Sequence, residues 1–353
     1  MAFETDLFKT ETLVSIADRA PEPSCFLIDT FFPQTLCFDT ERILFEFAES
    51  DRQLAPFVHP KKGGEIMENE SYQVESYVAP MLAPERVTDV DSIMTKRFGE
   101  TPYGGMSPKE RAAKKLIDDY AALKSMIKRR EEWMAREVLL TGQIEIIGKG
   151  VSEVIDFGLS NNETIVAEAD KWSSPSANPL ADLQRWYTKV QQTGHINPNV
   201  CIMSQDVMQK FIENEFVQKV FDKSAYDFAV FKPREINSCV TYVGTYRLLN
   251  IDFYTYNEWY KDNFTDPTKS EDKPMIPDGK VILLSSNAKY HRCYGGIPVG
   301  DKTAKVPTID IIAKPIVPVT RFVEDPPTRF LKLKSRPLPV PSLKDSWFVG
   351  TVM

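Results

Sequence analysis

The most regular apolar pattern in the chain lies between Ser107 and Thr141. Leu116, Tyr120, Leu123, Ile127, Met134 and Val138 are spaced 4, 3, 4, 7 and 4 residues apart. This puts them in one narrow stripe along a helix. Ser107-Pro-Lys-Glu110 supplies a capping box with proline at the first helical position, and Gly142 supplies the stop. The span 107–141 therefore predicts one helix about 50 Å long, some three times the common length. Its other faces carry Lys114, Lys115, Asp118, Asp119, Lys128, Arg129, Arg130, Glu131 and Glu132. Asp118-Asp119 and Glu131-Glu132 read as solvated faces opposite basic neighbours. One stripe predicts a rod lying across something rather than enclosed by a core.

Upstream the pattern changes period. Residues 25–50 are rich in aromatic residues and close in a strand pattern, Ile43 to Phe47. In 51–105 a turn signal at Lys61-Lys62-Gly63-Gly64 precedes strict alternation, with Tyr72, Val74, Ser76 and Val78 on one face. That reads as a long hairpin with too little apolar content to bury itself. Residues 1–24 are polar with a short amphipathic piece and read as an arm.

Beyond residue 150 the texture is compact. Asn178-Pro179 opens a helix with Leu180, Leu183, Tyr187 and Val190 on one face. A buried strand follows at 199–203, then a second helix capped by Ser204. Further strands are expected at 239–243, 251–256 and 280–286, with a polar loop at 261–279. The proline-rich tail from 306 predicts extended, edge-like segments and a closing strand in Ser346-Trp-Phe-Val-Gly-Thr-Val352.

Composition narrows the function. Apolar residues make up 42% and charged residues 26%, an ordinary globular balance. The net charge of −7 comes without a basic block, against tight nucleic-acid binding. No apolar run is long enough to span a membrane, and the acidic start argues against a secretory signal. Five cysteines, at 25, 37, 201, 239 and 293, form no CxxC pair; a reducing cytoplasm at folding fits them best.

Chemical motifs fail one by one. Gly142 to Gly150 has five residues between its first two glycines and no Ser or Thr after the lysine, so it reads as a turn between helix and strand, not a phosphate loop. Ser125-x-x-Lys128 and Ser286-x-x-Lys289 lack the companion motifs of a serine acyl enzyme. His59, His195 and His291 form no metal-binding pair. No catalytic residue, metal ligand or cofactor is predicted.

The order of arm, hairpin, rod, compact unit and returning tail resembles the major capsid proteins of tailed phages. The segments Phe26 to Phe47, Ser76 to Glu100 and Ser335 to Val352 are similar to the lambda-type branch, the phage major capsid protein E family. The resemblance implies an α+β fold of the Hong-Kong-97 type. It would comprise an N-terminal arm and lead-in strand (1–50), an extended hairpin loop (51–105), and a peripheral domain (106–175) around the spine helix. An axial domain (176–300) and a C-terminal return (301–353) would follow. It implies hexamers and pentamers of this chain in an icosahedral virion shell around double-stranded DNA, built in the host cytoplasm. A scaffold, a portal and a cementing protein would be its partners. The expected intersubunit contacts are Phe31, Phe32, His59, Lys61, Lys62, Gly63, Gly64, Tyr72 and Tyr77. The alternatives are a cellular nanocompartment shell of the same fold or a cytoplasmic enzyme using the cleft near His195.

Overall fold

The computed structural model describes residues 25–48, 72–89, 107–148, 150–221, 229–262, 270–288, 290–301 and 308–353. A seven-stranded mixed sheet organises them, its strands in the order Asn162–Thr164, Phe348–Thr351, Lys280–Leu284, Val200–Met203, Ile251–Tyr256, Val240–Tyr246 and Ala229–Asn237. Val200–Met203 runs parallel to Ile251–Tyr256 and antiparallel to Lys280–Leu284. Both of its faces are covered, which is why four apolar residues stand in a row there.

Alternate side chains of these strands serve two cores. Cys201, Met203, Val281, Leu283 and Phe348 enter one core with the helices Pro179–Thr193 and Gln205–Glu213. Trp172, Trp186 and Phe348 stack at its centre. Gly350 admits the Trp186 ring: a Cβ there would lie 2.4 Å from Cη2. Val200, Ile202, Ile282, Leu284 and Val349 enter the other core, with the long helix and the short helix Phe26–Phe31.

The long helix spans Pro108–Thr141. Its capping box is formed: the Glu110 N–H donates to Ser107 Oγ at 3.3 Å, and the Ser107 N–H donates to the Glu110 carboxylate at 2.7 Å. Gly142 ends it at φ 72°, and a Cβ there would also meet Leu159 Cβ at 2.4 Å.

Smaller sheets surround this body. Val317–Val323, Thr328–Lys334 and Glu85–Asp89 form an antiparallel sheet. Its Leu331 and Leu333 pack on Leu116, Tyr120, Leu123 and Ile127 of the long helix. Gln34–Cys37, His291–Tyr294 and Pro337–Val340 form a second, with the proline-bearing strand at its edge.

Three expected boundaries shift. Arg42–Ala48 pairs with Tyr72–Val78 in register Arg42↔Val78, so the strand assigned to the lead-in is the first arm of the hairpin. Gln143–Gly148 and Val151–Asp156 pair as a ribbon, so residues 142–150 hold a strand and not only a turn. Phe348–Thr351 joins the seven-stranded sheet, so the tail beyond 301 shares a sheet with strands of 176–300. The partners of Arg42–Ala48 and Phe348–Thr351 are distant in sequence, whereas Gln143–Gly148 pairs with its neighbour across Lys149-Gly150.

Candidate assembly surfaces

The six stripe residues of the long helix are all buried, but not in one place. Leu116, Tyr120, Leu123 and Ile127 sit under the sheet of 317–334, whereas Met134 and Val138 sit in the main core. The C-terminal half of the helix is buried all round: Glu131, Glu132, Trp133, Met134 and Ala135 are consecutive and inaccessible.

This corrects the expectation of a solvated Glu131-Glu132 face. The Glu132 carboxylate accepts the Leu27 N–H at 2.7 Å, the Ile28 N–H at 2.9 Å and the Tyr256 hydroxyl at 2.9 Å. Glu131 pairs with Lys128 at 3.0 Å and accepts the Tyr294 hydroxyl at 3.2 Å. Burial pushes both carboxyls up, Glu132 to about 7. Lys128 is buried as well, and Asp119, also expected in solvent, pairs with Arg86 at 2.8 Å.

The expected contact residues divide. Phe31 and Phe32 are 1% and 0% exposed, locked in this chain's own core, with Phe32 tilted against Tyr290 at 5.2 Å. They have no free surface for a neighbour. Tyr77 is internal too: it packs on Phe157 at 5.0 Å and its hydroxyl donates to Glu75. Aromatic residues mark cores and interfaces alike, so composition could not separate the two. Tyr72 lies on the hairpin strand opposite Ala48. His59, Lys61, Lys62, Gly63 and Gly64 lie outside the described residues.

Exposed apolar side chains lie elsewhere, several of them on two-stranded ribbons. Ile309 and Ile311 are 80% and 60% exposed on the ribbon of Ile297–Asp301 and Thr308–Ile312. Val154 is 61% exposed on the ribbon 143–156, beside exposed Ile147 and Val151. Trp259 is 60% exposed on the ribbon of Trp259–Asp262 and Glu271–Pro274. A lone two-stranded ribbon is marginal in water, and apolar residues at its surface mark a contact. Alternation around Lys149-Gly150 was the legible signal for one of them.

A groove of about 460 Å³ runs between the ribbon 143–156 and the long helix, lined by Met81, Trp133, Met134, Ile147 and Val151 among others. The described histidines serve separate elements: His195 follows a helix at φ 52°, and His291 hydrogen-bonds Ser342 and packs on Phe45. Among the described residues no cluster of three or more His, Cys, Asp or Glu could hold a metal ion. No described helix is long and apolar enough to cross a membrane.

A body with two cores, one long bracing helix and apolar ribbons left uncovered is a subunit made for tiling, of the Hong-Kong-97 type. The model of phage major capsid protein E matches residues 9–352, and the chain belongs to that family. The major capsid protein of Enterobacteria phage P21 is 22% identical, covering 98% of this chain and 99% of that one. The major capsid protein of Escherichia phage lambda is 19% identical, covering 84% and 85%. The crystal structure of the putative capsid protein of a prophage from E. coli CFT073 superposes with TM-score 0.68 at 18% identity, over 98% of this chain and 99% of that one. The chain is thus a phage major capsid protein and a component of the virion. Its family builds oligomeric shells and is structural rather than enzymatic. The family match also decides between phage head and cellular nanocompartment, in favour of the head.

Proposed function

We propose that this chain forms hexamers and pentamers that close an icosahedral wall around double-stranded DNA. The observation that carries this is the set of two-stranded ribbons with exposed apolar residues, which a neighbouring copy would bury. Within each subunit, residues 106–175 with the tail strands 317–334 act as the peripheral part, and 176–300 with the closing strand Phe348–Thr351 as the axial part. The hairpin that begins at Arg42 lies over a neighbour, with Tyr72 and the segment around His59 to Gly64 at the contact. A net charge of −7 suits a wall that encloses DNA without gripping it. A scaffold, a portal and a cementing protein complete the assembly.

The test is the double variant Ile309→Asp, Ile311→Asp, produced alongside the parent with the phage's assembly proteins. Both side chains are already in water in the free subunit, so its circular dichroism and melting should match the parent. Particles should be lost, as counted by electron microscopy. Particles as numerous and regular as the parent's would overturn the reading.

A further inference from the structure

Three elements meet at Glu132: the long helix that carries it, the short helix Phe26–Phe31 whose first amides it accepts, and the strand Ile251–Tyr256 whose last residue donates to it. The charged groups around it come from the two helices, from the strand His291–Tyr294 and from Glu258, just beyond the strand Ile251–Tyr256. Carboxylates are Asp29, Glu131, Glu132 and Glu258; cations are Lys128, Arg129 and Arg292. The junction thus holds four acids against three bases, one carboxylate in excess. The neutral titratable groups are Cys25, Tyr256 and Tyr294.

A narrow cavity of about 30 Å³ reaches this point. It is lined by Cys25, Ser125, Arg129, Glu132, Tyr256, Glu258 and Met275, and Arg129 at its edge is exposed. That is room for about one water, enough to carry a proton between solvent and the carboxyl.

We infer that this junction is a proton-controlled joint: with one proton on Glu132 it is electrically balanced and holds the short helix in place, and loss of that proton to solvent loosens it. The chemistry is a simple ionisation, carboxyl to carboxylate plus a proton taken up by water. The Tyr256 hydroxyl can accept from the carboxyl or donate to the carboxylate, so that bond exists in both states. The unbalanced charge of the ionised state faces Asp29 and Cys25, which belong to the short helix. Burial, the largest influence on Glu132, raises it to about 7, in the same direction.

The sign of the pH effect follows. An acid held above its ordinary value of about 4.3 keeps its proton better when the joint is closed. Closure is therefore firmest below that value, weakens as pH rises toward 7, and changes no further above 7. The joint would let pH set how firmly the short helix Phe26–Phe31 is held to the body. This holds whether or not the shell geometry proposed above is right.

Cys25 reports the joint. It sits at the start of the short helix, 6% exposed, with its thiol on the Lys128 carbonyl at 3.8 Å. The experiment is maleimide labelling of Cys25 in the full chain and in Glu132→Gln, followed by peptide mass spectrometry from pH 5 to 8. Dividing the two rates at each pH removes the ordinary pH dependence of a thiol, and the Glu132 charge, which holds the Cys25 thiol protonated, acts against the expected rise rather than mimicking it. The parent-to-variant ratio should climb by up to about tenfold per pH unit between 5 and 7, then level off. A flat ratio, or one that falls with pH, overturns the inference. If Glu132→Gln does not fold, hydrogen exchange at Leu27 and Ile28 in the parent decides: protection corrected for intrinsic rates should drop between pH 5 and 7, and constant protection overturns it.

Discussion

The two halves of the long helix live in different surroundings. From Pro108 to Lys124 it is a strap: Leu116, Tyr120 and Leu123 grip Leu331 and Leu333 while most other positions face water. From Glu131 to Leu140 it is a core element, packed by the short helix, the seven-stranded sheet and the strand Pro337–Val340. The amino-acid pattern hardly changes between the halves. What changes is what packs on them, and whether a buried charge finds partners there. A single rod can thus brace a thin three-stranded sheet at one end and anchor it in a rigid body at the other.

The contrast can be broken most forcefully at Val138, fully buried in the main core. Val138→Asp would strand a carboxylate without donors, at a cost of several kcal/mol, comparable to a domain's whole stability. The expected outcome is loss of the folded chain by circular dichroism; a cooperative melt near the parent's would show that the C-terminal half is not core.

Lys128→Asp comes next. Read as a solvated position, Lys128 should tolerate reversal. In the structure it is the partner of buried Glu131, so the change places another acid beside Glu131 and Glu132. Removing one member of a buried pair costs about 3–5 kcal/mol. Chemical denaturation should register a loss of that order. A shift under 1 kcal/mol would mean that water reaches this pair.

The smallest effect belongs to the strap. Leu123→Ala should cost about 2–3 kcal/mol, within the range for a buried leucine. That loss should be local: hydrogen exchange should accelerate in 317–334 and 85–89, with 200–203 and 280–284 unchanged. Equal acceleration everywhere would mean that helix, sheet and body unfold as one unit.

These cases also mark what the sequence could disclose. The rod, its cap at Ser107 and its stop at Gly142 were legible because each depends on residues within one turn. The strand Val200–Met203 was legible because both cores demand an apolar run there, and Ile251–Tyr256 because Ile251 and Phe253 alternate with half-buried residues. Glu131 and Glu132 were misread because their donors, Leu27, Ile28, Tyr256 and Tyr294, lie over a hundred residues away. Phe31 and Phe32 were misassigned because an aromatic pair looks the same in a core and at an interface. Ile309 and Ile311 went unnoticed because only the fold shows how exposed they are among the described residues.

A shell of this chain requires those exposed ribbons to be closed by neighbouring copies. Hydrogen-exchange mass spectrometry of the free subunit and of assembled shells tests this most directly. Residues 297–301, 308–312 and 143–156 should exchange quickly in the free subunit and gain strong protection in the shell. The strands 200–203 and 280–284, already enclosed, should be slow in both. Ribbons that exchange equally fast in the shell and in solution would contradict the account.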